Sequence, residues 1–377
     1  MDSTNSSRPW YYDYEEKVAA VAEAKCGFRR RCTELELEPV AVMLGYTKEI
    51  VASAVHESNW QEGVEVSIGR TRELADVIFA DFQTGLTPGL DLGWMLENHR
   101  KLVLTLKNKG ISENDLITLN LSAAYKAVTW LLMDIQTRYN AILAKLVEKL
   151  AKAFPGDLPP EAKNALAEGR RAAAAMFTNE ALPFPVTNEI KTGEEFLQKS
   201  GRYETKKDLE MLEERHIHFL HRLLFTGIFP SNRCGSFRRC FVNLGRQDLF
   251  LPPPDTVPAL MADFVKGYPL SAAFGQSKDV IMEAAKFSHR FTAIHPYNDG
   301  NGRISRALMN LVLCGQHPFV ALKATNQKSR SRYYYALRRA DRGDLKPLAG
   351  LIALSLVETY NRILGTLGAP KTDKKPS

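Results

Sequence analysis

Apolar positions recur at helical spacing over most of this chain, which reads as mostly helical. Residues 12–35 place Val18, Val21 and Ala22 on one face, which predicts a first helix. A second is expected from about Thr47 to Glu62, closed by Gly63, because glycine readily takes the left-handed cap conformation. Another should lie within 67–100, interrupted by the loop Gly85-Leu86-Thr87-Pro88-Gly89. From Ser112, with Glu113 and Asp115 in the first turn, one long helix or two should run to about 153. Pro155, Gly156, Pro159 and Pro160 break it, an alanine-rich helix follows at 161–177, and 182–201 has the composition of a linker.

Beyond this the chain changes character, and 202–366 carries the pattern of one compact unit. A helix is expected over Lys206–Leu224, ended by Gly227 and Pro230. The aromatic and β-branched residues between Gly235 and Gly245 predict a short hairpin, stopped by Pro252-Pro253-Pro254. Further helices follow at about 256–267, 278–294, 302–315, 328–341 and 344–364, and 367–377 has the composition of a disordered tail. The predicted fold is therefore mainly α. An N-terminal helical region fills 1–100 and an inserted helical block with a linker fills 101–201. A helical core carrying one hairpin spans 202–366.

Composition adds limits. At 45% hydrophobic and 25% charged residues the chain can bury a sizeable core. The net charge of +7 is a mild basic excess spread along the chain, with no groove-reading motif, so nucleic acid is not an expected partner. No uncharged run approaches the length of a membrane span. Five cysteines lack Cys-x-x-Cys spacing, and the polar N-terminus lacks a signal pattern, so a reducing cytoplasmic setting is expected. His216, His218 and His221 lie close together but have no evident further ligands, which argues against a metal there.

The candidate chemistry lies in His295-Pro296-Tyr297-Asn298-Asp299-Gly300-Asn301-Gly302-Arg303-Ile304-Ser305-Arg306. This is a loop entering a helix N-terminus, where backbone N–H groups and the helix dipole favour an anion. Gly300 and Gly302 suit positive φ and close approach of a phosphate, and Asn301 can share that conformation and donate. Asp299 is a hard oxygen ligand of the kind Mg²⁺ uses beside phosphates. Arg303 and Arg306 lie three apart on one helix face, as a phosphate clamp would. His295 stands where it could take a proton from a hydroxyl. Seven specified positions would coincide by chance on the order of once in a million such chains.

These residues resemble the signature of the Fic family, His-x-Phe-x-(Asp or Glu)-Gly-Asn-Gly-Arg-x-x-Arg, with Tyr297 in the phenylalanine position. Tyrosine can serve as the same apolar anchor if its hydroxyl finds a partner. Leu220-His221-Arg222-Leu223-Leu224 is similar to the helix that leads the family's core. Gly235-Ser236-Phe237-Arg238-Arg239, then Val242 and Pro252-Pro253, resembles its flap hairpin. Tyr333 and Tyr334, with Leu337 and Gly343-Asp344, resemble the segment that helps enclose adenine.

The resemblance implies transfer of AMP from ATP to a Ser, Thr or Tyr hydroxyl of a target protein. His295 would be the base, Asp299 would hold Mg²⁺, and the Gly-Asn-Gly loop with Arg303 would bind the α- and β-phosphates. The target would add a strand to the flap. Many members dimerise, which extends the expectation to a homodimer. Ser58-Asn59-Trp60-Gln61-Glu62-Gly63 resembles the family's inhibitory helix pattern, (Ser or Thr)-x-x-x-Glu-(Gly or Asn). It implies that Glu62 pairs with Arg306 and restrains the enzyme. The same glutamate could instead support removal of AMP, alone or alongside transfer. A non-catalytic Fic module is the reading from a different class, and retention of the full site argues against it.

Overall fold

A computed structural model describes residues 13–80, 91–153, 212–243, 250–269 and 277–368. The described residues are overwhelmingly helical. In chain order the helices are α1 (Tyr14–Glu34), α2 (Pro39–Gln61), α3 (Ile68–Ala80), α4 (Leu92–Asn108) and α5 (Glu113–Ala153). They are followed by α6 (Glu214–Phe225), α7 (Val257–Lys266), α8 (Val280–Ile294), α9 (Asn301–Leu313), α10 (Gln327–Ala340) and α11 (Lys346–Thr366).

The core is built around α8 and α9, which pack on each other on either side of the turn at 295–300. Helix α9 is buried along nearly its whole length. Helix α11 covers α8 and α10, and α1 packs along α11 with Val21 and Phe28 buried. Helix α5 enters from the other side and touches α2, α3, α6 and α9. Its residues Leu121, Tyr125, Val128, Leu131 and Ile135 recur at helical spacing and join the main core. Leu116, Leu119 and Ala123 face a second cluster with Leu74, Ile78 and Val103. Residues 121–135 of the block expected at 101–201 therefore pack into the same core as α8 and α9. The expected helix at 161–177, the linker at 182–201 and the C-terminal tail lie outside the described residues.

Buried polar groups tie these layers together. The Asn120 amide donates to the Leu224 and Thr226 carbonyls at 3.2 and 2.9 Å, satisfying acceptors at the end of α6. Its oxygen meets His99 Nε2 at 2.8 Å. His99 is pushed down to about 4 by burial, so it remains neutral near pH 7 and can share that contact without charge.

Two expected helix starts need correction, and the expected hairpin is not seen in the described part of its segment. Helix α2 starts at Pro39, well before Thr47, because 39–45 is nearly all apolar and shows no polar face to mark a helix, while proline is tolerated in a first turn. Helix α6 starts at Glu214, not Lys206. The Glu213 N–H donates to His216 Nδ1 at 3.0 Å and caps the helix there. The hairpin expected at 235–245 contains no strand over its described residues 235–243. The Arg238 N–H donates to the Pro296 carbonyl at 2.8 Å, so this segment bonds to the 295–300 turn. Residues 244–249 lie outside the described set. Gly63 does close α2 as expected: its φ is +78°, and Val64 N–H returns to the Asn59 carbonyl at 3.0 Å.

Candidate active site

The turn between α8 and α9 positions every residue of the 295–306 motif. Helix α8 ends on His295, which takes a left-handed conformation at φ 51°, ψ 59°. Its Nδ1 lies 3.3 Å from the Thr292 carbonyl, so that nitrogen carries the proton and Nε2 is left as the basic atom. Burial lowers the His295 pKa, and the Arg238 cation adds to this, while contact with the Thr292 carbonyl and the charges of Glu62 and Asp299 oppose it. The imidazole is thus neutral near pH 7.

Tyr297 is fully buried and anchors the loop. Its ring stacks on His221 at 3.9 Å between centroids, and its hydroxyl lies 2.9 Å from His218 Nδ1. Burial raises the Tyr297 pKa well above the ordinary value, so the phenol donates and His218 accepts. The departure from phenylalanine therefore has the partner it needs. The three histidines of α6 have separate tasks: His216 caps the helix, His218 meets Tyr297, and His221 Nδ1 accepts the Gly235 N–H at 2.8 Å. Among the described residues no cluster of three or more His, Cys, Asp or Glu side chains is placed to hold a metal.

Gly300 takes φ +81°, and a Cβ there would come within 2.6 Å of Phe225, so glycine is required for both reasons. Gly302 differs from the expectation. It lies inside the first turn of α9 without positive φ, and the space a Cβ would take is occupied by the Glu62 carboxylate at 2.4 Å. Asn301 also differs. Its amide donates to the Tyr297 carbonyl at 2.8 Å and accepts the Tyr297 N–H at 3.0 Å. Both ends of the side chain close the loop, so an anion would meet the free N–H groups of the α9 N-terminus instead.

Arg303 and Arg306 are both nearly buried. The Arg303 guanidinium lies over the Phe225 ring at 5.2 Å and reaches Asp299 Oδ1 at 3.2 Å. Its Nε is buried with no hydrogen-bond partner. An orphaned buried donor costs about 1–3 kcal/mol, a cost that an acceptor reaching this atom would remove. Arg306 is held through Nε and Nη2. Its Nε donates to Ser58 Oγ at 2.8 Å, and its Nη2 meets the Ser58 carbonyl at 3.1 Å and Glu62 Oε1 at 2.6 Å. Burial acts to lower the Arg306 pKa, but the negative field of Glu62 and the nearby Tyr333 and Tyr125 oxygens outweigh it and raise it.

Asp299 leaves its carboxylate about half exposed beside the motif. Its Oδ1 accepts the Gly300 N–H at 2.5 Å. One accessible hard oxygen suits Mg²⁺, which takes the rest of its shell from water and substrate phosphates. Tyr333 is buried with its ring 5.9 Å from the Arg306 guanidinium carbon. Tyr334 donates its hydroxyl to the Gln61 carbonyl at 3.1 Å. The two tyrosines thus contact Arg306 and the end of α2, one each.

The flap residues divide. Gly235, at φ +70°, is a buried joint against Arg222 and His218. Phe237 packs on His218 and Tyr297 at 4.5 and 5.8 Å. Val242 is partly exposed, with Phe241 and Phe250 standing 77% and 92% exposed nearby. The tasks of two residues were not legible in the sequence. Arg238, between Phe237 and Arg239, is 1% exposed and bonded to the His295 carbonyl. Glu57 accepts the Ala324 and Thr325 N–H groups and fixes α2 to the strand-like segment before α10. Only their chain neighbours, a flap and a helix that had been singled out, pointed toward them.

Residues 211–313 match the profile of the Fic/DOC family. A relative named Protein adenylyltransferase Fic from Drosophila willistoni is 35% identical over 137 residues, 36% of this chain and 26% of that protein. The protein of the same name from Drosophila melanogaster is 34% identical over the same length. The chain thus spans about a quarter of the length of the curated relatives it matches. Among solved structures, a Fic domain containing signaling protein from Bacteroides thetaiotaomicron superposes with a TM-score of 0.54. The alignment covers 94% of this chain and 100% of that one at 14% identity, a likeness of fold.

Proposed function

We propose, for a chain whose residues 211–313 are a Fic domain, that it transfers AMP from ATP to a hydroxyl of a target protein. The observation that carries this reading is the meeting of a neutral imidazole, an unpartnered arginine donor and a helix N-terminus on one loop.

His295 takes the proton of the incoming Ser, Thr or Tyr hydroxyl at Nε2. The hydroxyl oxygen forms a bond to the α-phosphorus as the bond between that phosphorus and the bridging oxygen breaks, and pyrophosphate leaves. The α9 N-terminus and Arg303 offset the charge spread over the phosphate oxygens. Asp299 would hold Mg²⁺, which when bound neutralises charge on the polyphosphate. Tyr333 and Tyr334 border the adenine side. The flap at 235–253 receives an extended target segment, for which Phe241 and Phe250 offer apolar contacts.

Glu62 and Ser58 hold the enzyme at a low rate. Both occupy Arg306, the second arginine of the phosphate clamp, so the terminal phosphates cannot engage it while α2 is seated. Removing the carboxylate takes away the charged partner of Arg306 and leaves in place the loop and the weaker Ser58 contacts, which a phosphate can displace.

Incubation with α-labelled ATP and Mg²⁺ tests this in the parent protein, Glu62→Gly and His295→Ala. Label should enter protein in Glu62→Gly at least about tenfold faster than in the parent, the scale of a coupling of a few kcal/mol. None should appear in His295→Ala. Equal labelling in parent and Glu62→Gly would remove the restraint from Glu62, and label in His295→Ala would remove the base.

A further inference from the structure

Arg238 is the largest of the fully buried side chains. Its guanidinium makes three hydrogen bonds, all to backbone carbonyls from separate segments: Nε to His295 at 2.8 Å, Nη1 to Cys240 at 3.2 Å and Nη2 to Pro252 at 2.5 Å. The N–H of the same residue donates to the Pro296 carbonyl at 2.8 Å. Among the described residues no carboxylate pairs with it. Burying a cation without a counter-charge costs several kcal/mol even after relaxation, and that cost pulls its own pKa down. An apolar side chain of similar volume would fill the space at lower cost. What it could not do is grip three carbonyls at once.

One of those carbonyls belongs to His295. Among the described residues only His295 and Glu36 are non-glycine residues with positive φ. That conformation costs about 1 kcal/mol or more in an L residue, so surrounding contacts must hold it. The bond from Arg238 fixes the peptide plane that follows the histidine, and the Thr292 contact fixes the ring. The other two carbonyls stand on either side of 244–249, one on each arm of the flap.

We propose that Arg238 is a positioning residue: it holds His295 in its left-handed conformation and seats both arms of the flap on the catalytic loop. The proton acceptor and the docked target are then registered to each other through one side chain. This rests on the reading of His295 as the base and of the flap as the docking surface. Arg238 touches no reacting atom in this scheme. It acts through the backbone of the residue that does.

The test compares Arg238→Ala and Arg238→Lys in the Glu62→Gly chain, where labelling is fastest. Arg238→Ala should lower kcat about a hundredfold, the order expected for a reacting group misplaced by about 1 Å, with the KM for ATP changed less than about threefold. Guanidinium chloride below denaturing concentrations should restore at least about tenfold of that loss, which filling an ordinary packing defect would not do. Arg238→Lys keeps the charge but presents a point in place of a fork, and should sit between the two. If the alanine variant does not fold, the lysine variant decides, and a kcat within about threefold of its parent overturns the proposal. A second readout needs no turnover. In chain labelled with ¹⁵N-histidine, the resonance lost in His295→Ala should show one tautomer with Arg238 and an averaged or shifted signal without it. An unchanged signal overturns the proposal even if Glu62→Gly shows no transferase activity, so failure of this inference and failure of the proposed reaction are told apart.

Discussion

A Cβ placed on Gly302 would stand 2.4 Å from Glu62 Oε1. The Glu62 carboxylate thus lies against the first turn of α9. Its flexible end can swing aside, and alanine is about 1 kcal/mol better than glycine in a helix, so Gly302→Ala should cost the chain less than about 1 kcal/mol. In Glu62→Gly, where the colliding oxygen is gone, the same substitution should cost less still. Thermal unfolding of the four proteins gives the coupling directly, and equal costs in both backgrounds would separate Gly302 from Glu62.

The end of α2 is held by α10. Arg330 donates to the Trp60 carbonyl and Tyr334 to the Gln61 carbonyl, two of the acceptors a helix leaves open at its C-terminus. Arg330→Met and Tyr334→Phe should each loosen that turn and raise labelling of the otherwise unaltered chain by roughly three- to tenfold, the worth of one hydrogen bond. Neither should raise it further in Glu62→Gly. A rise of equal size there would mean that they act on the nucleotide and not on α2.

The pH profile follows from the environment of His295. Burial is the largest influence and lowers its pKa, as does Arg238, while Glu62 and Asp299 raise it. In Glu62→Gly one of the raising charges is gone, so the pKa falls further. A depressed pKa keeps the base free to lower pH. The acid limb of kcat/KM for that variant should thus lie below the ordinary histidine value of about 6.5. An acid limb above it would mean that another group takes the proton.

Tyr297 is the one departure from the family signature, and its hydroxyl serves His218. Tyr297→Phe should keep the ring against His221 and retain labelling within about threefold. It should cost roughly 1 kcal/mol of stability, read by chemical denaturation, because a buried acceptor loses its donor. A collapse of labelling would give the hydroxyl a place in the reaction.

Legibility in the sequence followed range. Helices α8 to α11 were readable because their caps and apolar faces are local: Asp279 and Asn326 accept the Met282 and Ser329 N–H groups within three residues. The pairing of Glu62 with Arg306 was anticipated from a motif alone, and the structure brings the two side chains together at 2.6 Å. Two things were not legible. The contacts of Asn301 and Gly302 depend on helix phase: one lies under the loop, the other under Glu62. The tasks of Arg238 and Glu57 were hidden for a different reason. Their partners are backbone groups far along the chain or on another element, and a carbonyl or an N–H carries no signature in sequence.

Helix α2 precedes the 295–306 loop in the chain, and this sets an order of synthesis. N-terminal segments emerge and can collapse first. By the time Arg306 leaves the ribosome, the carboxylate that meets it has long been made and is tethered to the same chain. Each copy of the arginine is thus born into the presence of its own counter-ion, at an effective concentration fixed by covalent linkage and independent of how much protein the cell makes. A restraint supplied by a separate subunit would lapse on dilution. The pairing of Glu62 with Arg306 is inherited with every molecule.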